Sequence, residues 1–222
     1  IIRVTHITAF YRIATGIFLC LLPSIVQGQP VGAVVAQDGW GDYPTLQMAI
    51  AKAPTNEQGR IVVFVRNGLY KEKIYVLRDN VSLIGESREG VEIVWDDYNG
   101  KTAAMNTAES YTLWADGDGF YMENITVRNS AGNVGQAVAI RTTGDRQVFK
   151  NCNFIGFQDT FYAHKNRQYV EACRIEGATD FIFGDATAVF QNCEIRCLEG
   201  GQFITAPADT KLVSTTGSED TF

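Results

Sequence analysis

The sequence has 222 residues, of which 45% are hydrophobic and 20% charged, and its formal net charge is −6. It is long enough for one domain with a sizeable core and too polar overall for a bundle of membrane spans. The acidic balance argues against nucleic acid as the main partner. Only two histidines are present, His6 and His164, so mechanisms that need several histidines are nearly excluded.

Residues 1–28 have the three-part layout of a secretory signal. Residues 1–12 contain Arg3 and Arg12 but no Asp or Glu, and a mostly apolar run of 14 residues follows. Val26-Gln27-Gly28 then forms a plausible cleavage site. The run is short for a spanning helix, which needs about 20 residues; an uncleaved anchor is the alternative. We therefore predict a secreted or periplasmic protein with no stable membrane partner after cleavage, and residues 29–222 as its one domain.

The first predicted element is a short amphipathic helix over residues 43–53. Asp42 or Tyr43 is expected at the N-cap, Pro44 in the first turn and Pro54 at the stop. Four apolar residues at helical spacing share one face: Leu46, Ala49, Ile50 and Ala53. A helix with a single apolar side is expected to cover the end of another structure.

After the helix, the hydrophobic pattern changes to a period of two. Apolar runs rich in β-branched residues at 61–65, 81–84 and 91–95 predict strands. Four later segments share a four-residue pattern: a small residue or Asn first, an apolar residue second, a polar residue third and an apolar residue fourth. Their second members are 27, 21 and 20 residues apart: Ile125, Cys152, Cys173 and Cys193. Such periods indicate stacked coils, so we predict an all-β parallel β-helix capped by the helix, with a β-sandwich as the alternative.

The repeat predicts that two carboxylates meet. Asp159 lies five residues after Phe154, and Asp180 lies five residues after Ile175. Adjacent strands are about 4.8 Å apart, so these side chains would stack on consecutive coils. Like charges at that distance raise the pKa of one carboxyl group, which gives a general acid beside a nucleophile or base. The alternative is a pair of ordinary turn residues.

The neighbours of the two acids favour a functional site. Aromatic residues such as Phe157 and Tyr162 lower the local polarity and offer flat faces to sugar rings. Gln136 lies 22 residues before Gln158, about one coil, and two glutamine amides could form an oxyanion hole for acyl transfer.

Other chemistries find little support in the sequence. Zinc, nucleotide and serine-hydrolase motifs are absent, so no metal and no cofactor are predicted. Two acidic pairs, Asp96-Asp97 and Asp116 with Asp118, lack an ordered calcium loop and are interpreted as solvated turns. His164 has no partner histidine and is interpreted as a surface loop residue.

Four ordered segments together resemble the pectin methylesterase (pectinesterase) family of carbohydrate esterases. They are Gly68-Leu69-Tyr70-Lys71-Glu72, Gln136-Ala137-Val138-Ala139-Ile140-Arg141, Gly156-Phe157-Gln158-Asp159-Thr160-Phe161-Tyr162 and Asp180-Phe181-Ile182-Phe183-Gly184. The resemblance implies a right-handed parallel β-helix that hydrolyses the methyl esters of polygalacturonate. Its expected partner is methylesterified homogalacturonan, and the expected state is a monomer.

The resemblance also implies roles for individual residues. Asp180 would be the nucleophile, Asp159 the acid and then the base, and Gln136 and Gln158 the oxyanion donors. The substrate-binding residues would be Thr107, Phe157, Tyr162, Thr179 and Phe183. Cys173 and Cys193 resemble a pair that is bridged in some bacterial members; they are also predicted at equivalent positions on consecutive coils, and a ladder of thiols that includes Cys152 is the alternative.

The sequence departs from the family near its end. A later Leu-Gly-Arg-Pro-Trp segment, which holds the nucleophile and stacks on substrate in the family, does not occur before Phe222. We therefore expect a partial sequence whose 222 residues alone are inactive. Two alternatives remain: a calcium-dependent pectate lyase and a non-catalytic pectin-binding solenoid.

Overall fold

Three parallel sheets run along a solenoid within residues 32–207, the part of the chain that this computed structural model describes. The chain visits the sheets in turn, and neighbouring strands of each sheet come from successive coils. This arrangement confirms the predicted all-β parallel β-helix with a short N-terminal helix, and the β-sandwich alternative is wrong. The predicted signal segment, residues 1–28, lies outside the described residues.

The strands are numbered in chain order. The first sheet contains β1 (Ala33–Val35), β2 (Ile61–Val65), β5 (Val81–Gly85), β8 (Tyr121–Glu123), β11 (Gln147–Lys150), β14 (Arg167–Glu171) and β17 (Thr187–Gln191). The second contains β3 (Gly68–Tyr70), β6 (Val91–Trp95), β9 (Thr126–Asn129), β12 (Asn153–Ile155), β15 (Arg174–Gly177) and β18 (Glu194–Cys197). The third contains β4 (Ile74–Val76), β7 (Leu113–Ala115), β10 (Ile140–Thr142), β13 (Phe161–Ala163), β16 (Ile182–Gly184) and β19 (Thr205–Pro207).

The core is built from in-register apolar stripes, one for each sheet. In the second sheet, Ile93 pairs with Val127, Val127 with Phe154 and Phe154 with Ile175, and all four are fully buried. Because every coil presents its apolar residue above the equivalent residue of the coil before, burial is continuous along the axis. The predicted strands at 61–65 and 91–95 have these bounds in the structure.

The capping helix α1 is shorter than predicted and covers Leu46–Lys52. Its N-cap is Thr45, whose hydroxyl accepts a hydrogen bond from the Met48 N–H, so the prediction of Asp42 or Tyr43 at the cap is wrong. Asp42 instead accepts from the Val34 N–H at 2.8 Å, outside the helix. Among residues 32–207, no helix has the length and apolarity needed to cross a membrane.

Glu72 ties this helix to the solenoid. Its two carboxylate oxygens accept from the backbone N–H groups of Leu46 and Gln47, at 3.0 and 3.1 Å. The first N–H groups of a helix lack partners within the helix, and the helix dipole favours a negative charge there. The last residue of the Gly68–Glu72 motif therefore has a structural role.

The turn from the first sheet to the second repeats a left-handed backbone on four coils. Asn124, Asn151, Ala172 and Asn192 follow paired strand ends and have φ of 57°, 48°, 53° and 54°. Asn151 donates to the Asn124 side-chain oxygen at 2.7 Å. Asparagine visits this backbone region routinely, whereas for other residues with a Cβ it is sterically unfavourable.

Three of the four cysteines in residues 32–207, namely Cys152, Cys173 and Cys193, form a ladder of thiols at this turn, whereas Cys197 ends β18. The described residues contain no disulfide, so the bridge predicted between Cys173 and Cys193 is not formed in this structure. Each thiol of this ladder instead has two backbone carbonyl oxygens within hydrogen-bonding distance of its sulfur. They belong to Met122 and Lys150 for Cys152, Phe149 and Glu171 for Cys173, and Val170 and Gln191 for Cys193. The alternative of stacked thiols describes this arrangement.

Replacing Ala172 by Asn is expected to stabilise the fold. Ala172 is exposed and has a positive φ, so an asparagine fits without crowding and relieves a backbone cost of about 1 kcal/mol. The free energy of unfolding, measured by urea denaturation, should rise by up to that amount. Ala172→Val, which places a β-branched residue there, should lower it. An Ala172→Asn protein no more stable than the parent would contradict the role given to this turn.

Candidate active site

Two rows of side chains run across consecutive coils, just before the first residues of the third-sheet strands. Gln136 pairs with Gln158 and Gln158 with Thr179 in parallel register. Asp159 and Asp180 are the next residues, and they therefore occupy equivalent positions on neighbouring coils, as the residue count predicts. The register is set further back by the pairing of Phe154 with Ile175.

A tight turn presents both acids. Asp159 and Asp180 have φ of 65° and 49°, a backbone region in which Asp is enriched and which recurs at functional sites. The Asp159 N–H donates to the Thr179 carbonyl at 3.2 Å. Gly177 precedes Asp180 by three residues, and a Cβ there would lie 2.3 Å from the Phe181 Cβ. The turn that aims the carboxylate thus requires glycine.

The two acids differ in their surroundings. Asp159 is 7% exposed, whereas Asp180 is partly exposed. Burial, together with the nearby charge of Asp180, raises the pKa of Asp159 to about 7. Asp159 is therefore protonated in a large fraction of molecules at neutral pH, and it can give up its proton there. The pair has the asymmetry that an acid beside a nucleophile requires.

The two glutamines also differ. The Gln136 side-chain oxygen accepts from the Asn99 amide at 2.7 Å, and the Gln136 backbone carbonyl accepts from the Asn99 N–H at 2.9 Å. The Gln158 side chain has no hydrogen bond to any residue in the described range. Sequence reasoning missed Asn99, because it lies in the loop between β6 and β7, whose length breaks the coil repeat.

The aromatic residues form a stack. Tyr162 and Phe183 pair in register, and their ring centroids are 4.2 Å apart with an angle of 9° between the planes. Tyr162 also stacks on His164 at 4.5 Å. Tyr162 therefore stacks on two rings of the protein itself, which the sequence did not predict. Phe157 and Thr179 are half-buried beside the acids.

Arg141 continues this stack on the preceding coil, and sequence reasoning gave it no role. Its guanidinium carbon lies 3.9 Å from the centroid of the Trp114 ring and 5.9 Å from that of Tyr162. It also lies 3.4 Å from the His164 ring nitrogen Nδ1. His164 lies in a loop just after β13, as predicted, but it is half-buried in this cluster rather than on the surface. Burial and the charge of Arg141 lower the pKa of His164.

Thr107 approaches the stack from a loop. It begins a 3₁₀ helix (Thr107–Glu109) that Asn106 caps through its side-chain oxygen. Arg141 donates to the carbonyl of Ala108 at 3.1 Å, which joins this helix to β10. The candidate substrate residue and the aromatic stack are thus held by one guanidinium group.

The acidic pairs serve internal contacts. Asp97 is buried and pairs with Lys73 at 2.6 Å and Lys101 at 3.0 Å, so its interpretation as a solvated turn is wrong. Asp116 accepts from the hydroxyls of Tyr75 and Thr143. No group of three or more His, Cys, Asp or Glu side chains within residues 32–207 is placed to hold a metal ion.

Together these features define a parallel β-helix protein with a paired-carboxylate site at the N-terminal ends of two third-sheet strands. The pectinesterase family model matches residues 32–219, and the chain belongs to the pectinesterase family. It is 39% identical over 194 residues to pectinesterase 31 of Arabidopsis thaliana, covering 82% of this chain and 61% of that protein.

Solved structures show the same fold. The pectin methylesterase from carrot superposes with a TM-score of 0.77 at 35% identity, covering 88% of this chain and 62% of that one. A pectin methylesterase in complex with a hexasaccharide superposes with a TM-score of 0.73 at 32% identity, covering 81% and 61%. The chain spans 30% of the length of the Arabidopsis pectinesterase/pectinesterase inhibitors 45 and 13, which it matches at 38% identity.

The raised pKa of Asp159 predicts a pH dependence of stability. Between the unfolded pKa of 3.8 and the folded pKa of about 7, the folded protein retains a proton that the unfolded chain has lost. The contribution of Asp159 to the free energy of unfolding should therefore fall as the pH rises through this window. Asp159→Asn should abolish that fall, as measured by urea denaturation from pH 4 to pH 8; the same slope in both proteins would contradict the prediction.

A second prediction separates the two causes of the shift. Asp180→Asn removes the neighbouring charge and leaves the burial of Asp159 in place, so the pKa of Asp159 should fall but stay above 3.8. NMR titration of the Asp159 carboxyl carbon in both proteins measures the change. An unchanged or higher pKa in Asp180→Asn would show that the stacked carboxylates are not coupled.

Proposed function

We propose that this protein hydrolyses the methyl esters of galacturonate units in pectin, releasing methanol and leaving pectate. The observation that carries the proposal is the buried, protonatable Asp159 stacked on Asp180 beside two glutamine amides. Family membership supports this reaction, and the solved relative with a bound hexasaccharide supports a saccharide substrate.

In the first half of the reaction, Asp180 is the nucleophile. One of its oxygens attacks the ester carbonyl carbon, and the carbonyl oxygen becomes an oxyanion that accepts from the side-chain amides of Gln136 and Gln158. The bond to the methoxy oxygen then breaks. Asp159 gives its proton to this oxygen, and methanol leaves. An anhydride between Asp180 and the galacturonate remains.

In the second half, Asp159 is an ionised base. It takes a proton from a water molecule, whose oxygen attacks the galacturonyl carbon of the anhydride. A second oxyanion forms at the same two amides and collapses, and the bond to Asp180 breaks. Asp180 is regenerated as a carboxylate, Asp159 is again protonated, and the product is a free galacturonate carboxyl group. The pKa of about 7 suits Asp159 to both steps at neutral pH.

The outer face of the third sheet is the proposed binding surface for methylesterified homogalacturonan. Thr107, Phe157, Tyr162, Thr179 and Phe183 would contact the sugars around the acids. Because Tyr162 stacks on Phe183, the two rings would act as one wall beside the site. We further propose that the protein is exported by its first 28 residues, to the cell exterior or periplasm, and acts as a monomer.

The two acids should be essential for different reasons. We define the extended chain as this sequence continued past Phe222 through a Leu-Gly-Arg-Pro-Trp segment supplied by a relative. In the extended chain, Asp180→Asn should abolish methanol release, because an amide cannot attack the ester. Asp159→Asn should lower kcat by about 10²–10⁴-fold, the usual worth of general acid–base catalysis. Circular dichroism checks that both variants fold, and rates near wild type in either would remove the mechanism.

The 222-residue chain by itself should release no methanol from pectin, whereas the extended chain should. Activity of the shorter chain within tenfold of the extended one would contradict this expectation. The same assay tests the alternatives. Unsaturated products that form only with calcium would indicate a pectate lyase, and pectin binding without methanol release by the extended chain would indicate a binding solenoid.

A further inference from the structure

We propose that Asn99 is a positioning residue that orients the side-chain amide of Gln136 toward the reacting ester. The proposal rests on the proposed function, because it assigns Gln136 to the oxyanion. Asn99 lies outside the four segments that carry the family resemblance, in the loop between β6 and β7. It is not itself assigned contact with the reacting atoms.

A glutamine amide has two ends that differ in chemistry. Its nitrogen donates two hydrogen bonds, whereas its oxygen only accepts. An oxyanion is stabilised by the nitrogen end and repelled by the oxygen end, and rotation of the amide by half a turn exchanges the two. A glutamine in an oxyanion hole therefore needs a contact that distinguishes its ends.

Asn99 provides such a contact. Its side-chain nitrogen Nδ2 donates to Oε1 of Gln136 at 2.7 Å, which engages the oxygen end and leaves the nitrogen end of Gln136 free to donate elsewhere. The Asn99 backbone N–H donates to the Gln136 backbone carbonyl at 2.9 Å. One residue thus fixes both the backbone and the amide of Gln136.

The loop that carries Asn99 is held from both sides. Lys101 pairs with Asp96 at 2.8 Å and Asp97 at 3.0 Å, and Lys73 pairs with Asp97 at 2.6 Å. Asp97 is buried, so this small ionic cluster anchors the loop next to the position of Asn99. Asn99 itself is exposed to water, which weakens a single hydrogen bond. An anchored loop lowers the entropy cost of keeping that bond formed.

Gln158 offers a comparison within the same site. It pairs with Gln136 in register, yet its side chain has no hydrogen bond to residues 32–207. The structure therefore preorganises one of the two proposed oxyanion donors and leaves the other to be oriented on substrate binding. Preorganised donors cost no reorganisation when the charge develops.

The test replaces the donor by an acceptor. In the extended chain, Asn99→Asp presents only oxygens, so Gln136 turns its nitrogen toward residue 99 and its oxygen toward the ester. The kcat should fall toward the roughly 10²–10³-fold loss seen when an oxyanion donor is removed, with KM within about twofold. Asn99→Ala frees the amide without reversing it and should cost less. In a protein that already carries Gln136→Ala, neither Asn99→Asp nor Asn99→Ala should lower kcat further.

The matched control is Asn133→Asp. Asn133 is exposed in the segment just before Gln136 and has no hydrogen bond to other described residues. Its replacement by Asp adds the same negative charge as Asn99→Asp. It should leave kcat unchanged. Three outcomes would each overturn the proposal. They are a wild-type kcat in Asn99→Asp, an equal loss of kcat in Asn133→Asp, and a loss of kcat from Asn99→Asp that is just as large in the Gln136→Ala background.

A second readout does not depend on activity. In the 222-residue chain, the side-chain amide protons of Asn99 should exchange with water more slowly than those of Asn133, as measured by NMR. Equal exchange would overturn the contact even if catalysis were as proposed. Failure of the wild-type extended chain to release methanol would instead contradict the proposed function, and slower exchange at Asn99 would still support the contact.

Discussion

In-register stacking of parallel coils is the constraint on which the rest of the structure depends. Each residue lies about 4.8 Å from the equivalent residue of the next coil, so similar side chains stack when the repeat is kept. For apolar residues such as Phe154 and Ile175 this stacking is favourable and forms the core. The same register stacks asparagines and thiols at one turn. For Asp159 and Asp180 the stacking is unfavourable while both are charged.

The protein meets this electrostatic cost by protonation. Burial disfavours the charged form of Asp159, and the neighbouring carboxylate adds to this effect, so one proton is held by the pair near neutral pH. Both acids also have a left-handed backbone, which disfavours most residues. Charge repulsion and a left-handed backbone both lower the stability of the folded state. They persist here because the strand pairing of neighbouring coils fixes the positions of the two acids.

The coil repeat allowed the fold and the acid pair to be predicted, because the spacing from Phe154 to Asp159 recurs from Ile175 to Asp180. Two of the contacts missed from the sequence join a repeat strand or its flank to a segment outside the repeat. Asn99 reaches Gln136 from a long loop, and Arg141 reaches the 3₁₀ helix at Ala108. The helix start was misplaced because Thr45, Asp42 and Tyr43 are all plausible near a proline, and tertiary contacts of Asp42 decided between them.

Arg141 shows how a cation can belong to a stack of rings. It pairs in register with Trp114 and Tyr162 on the coils to either side, and its planar guanidinium lies close to the Trp114 ring. An aromatic residue there would continue the stack but could not hydrogen-bond to the carbonyl of Ala108. Its ion pair with Glu109 is long, at 3.5 Å, and its Nε has no partner within the described residues. A buried cation so incompletely paired adds little stability, so its main contribution is to hold the 3₁₀ helix Thr107–Glu109 next to β10.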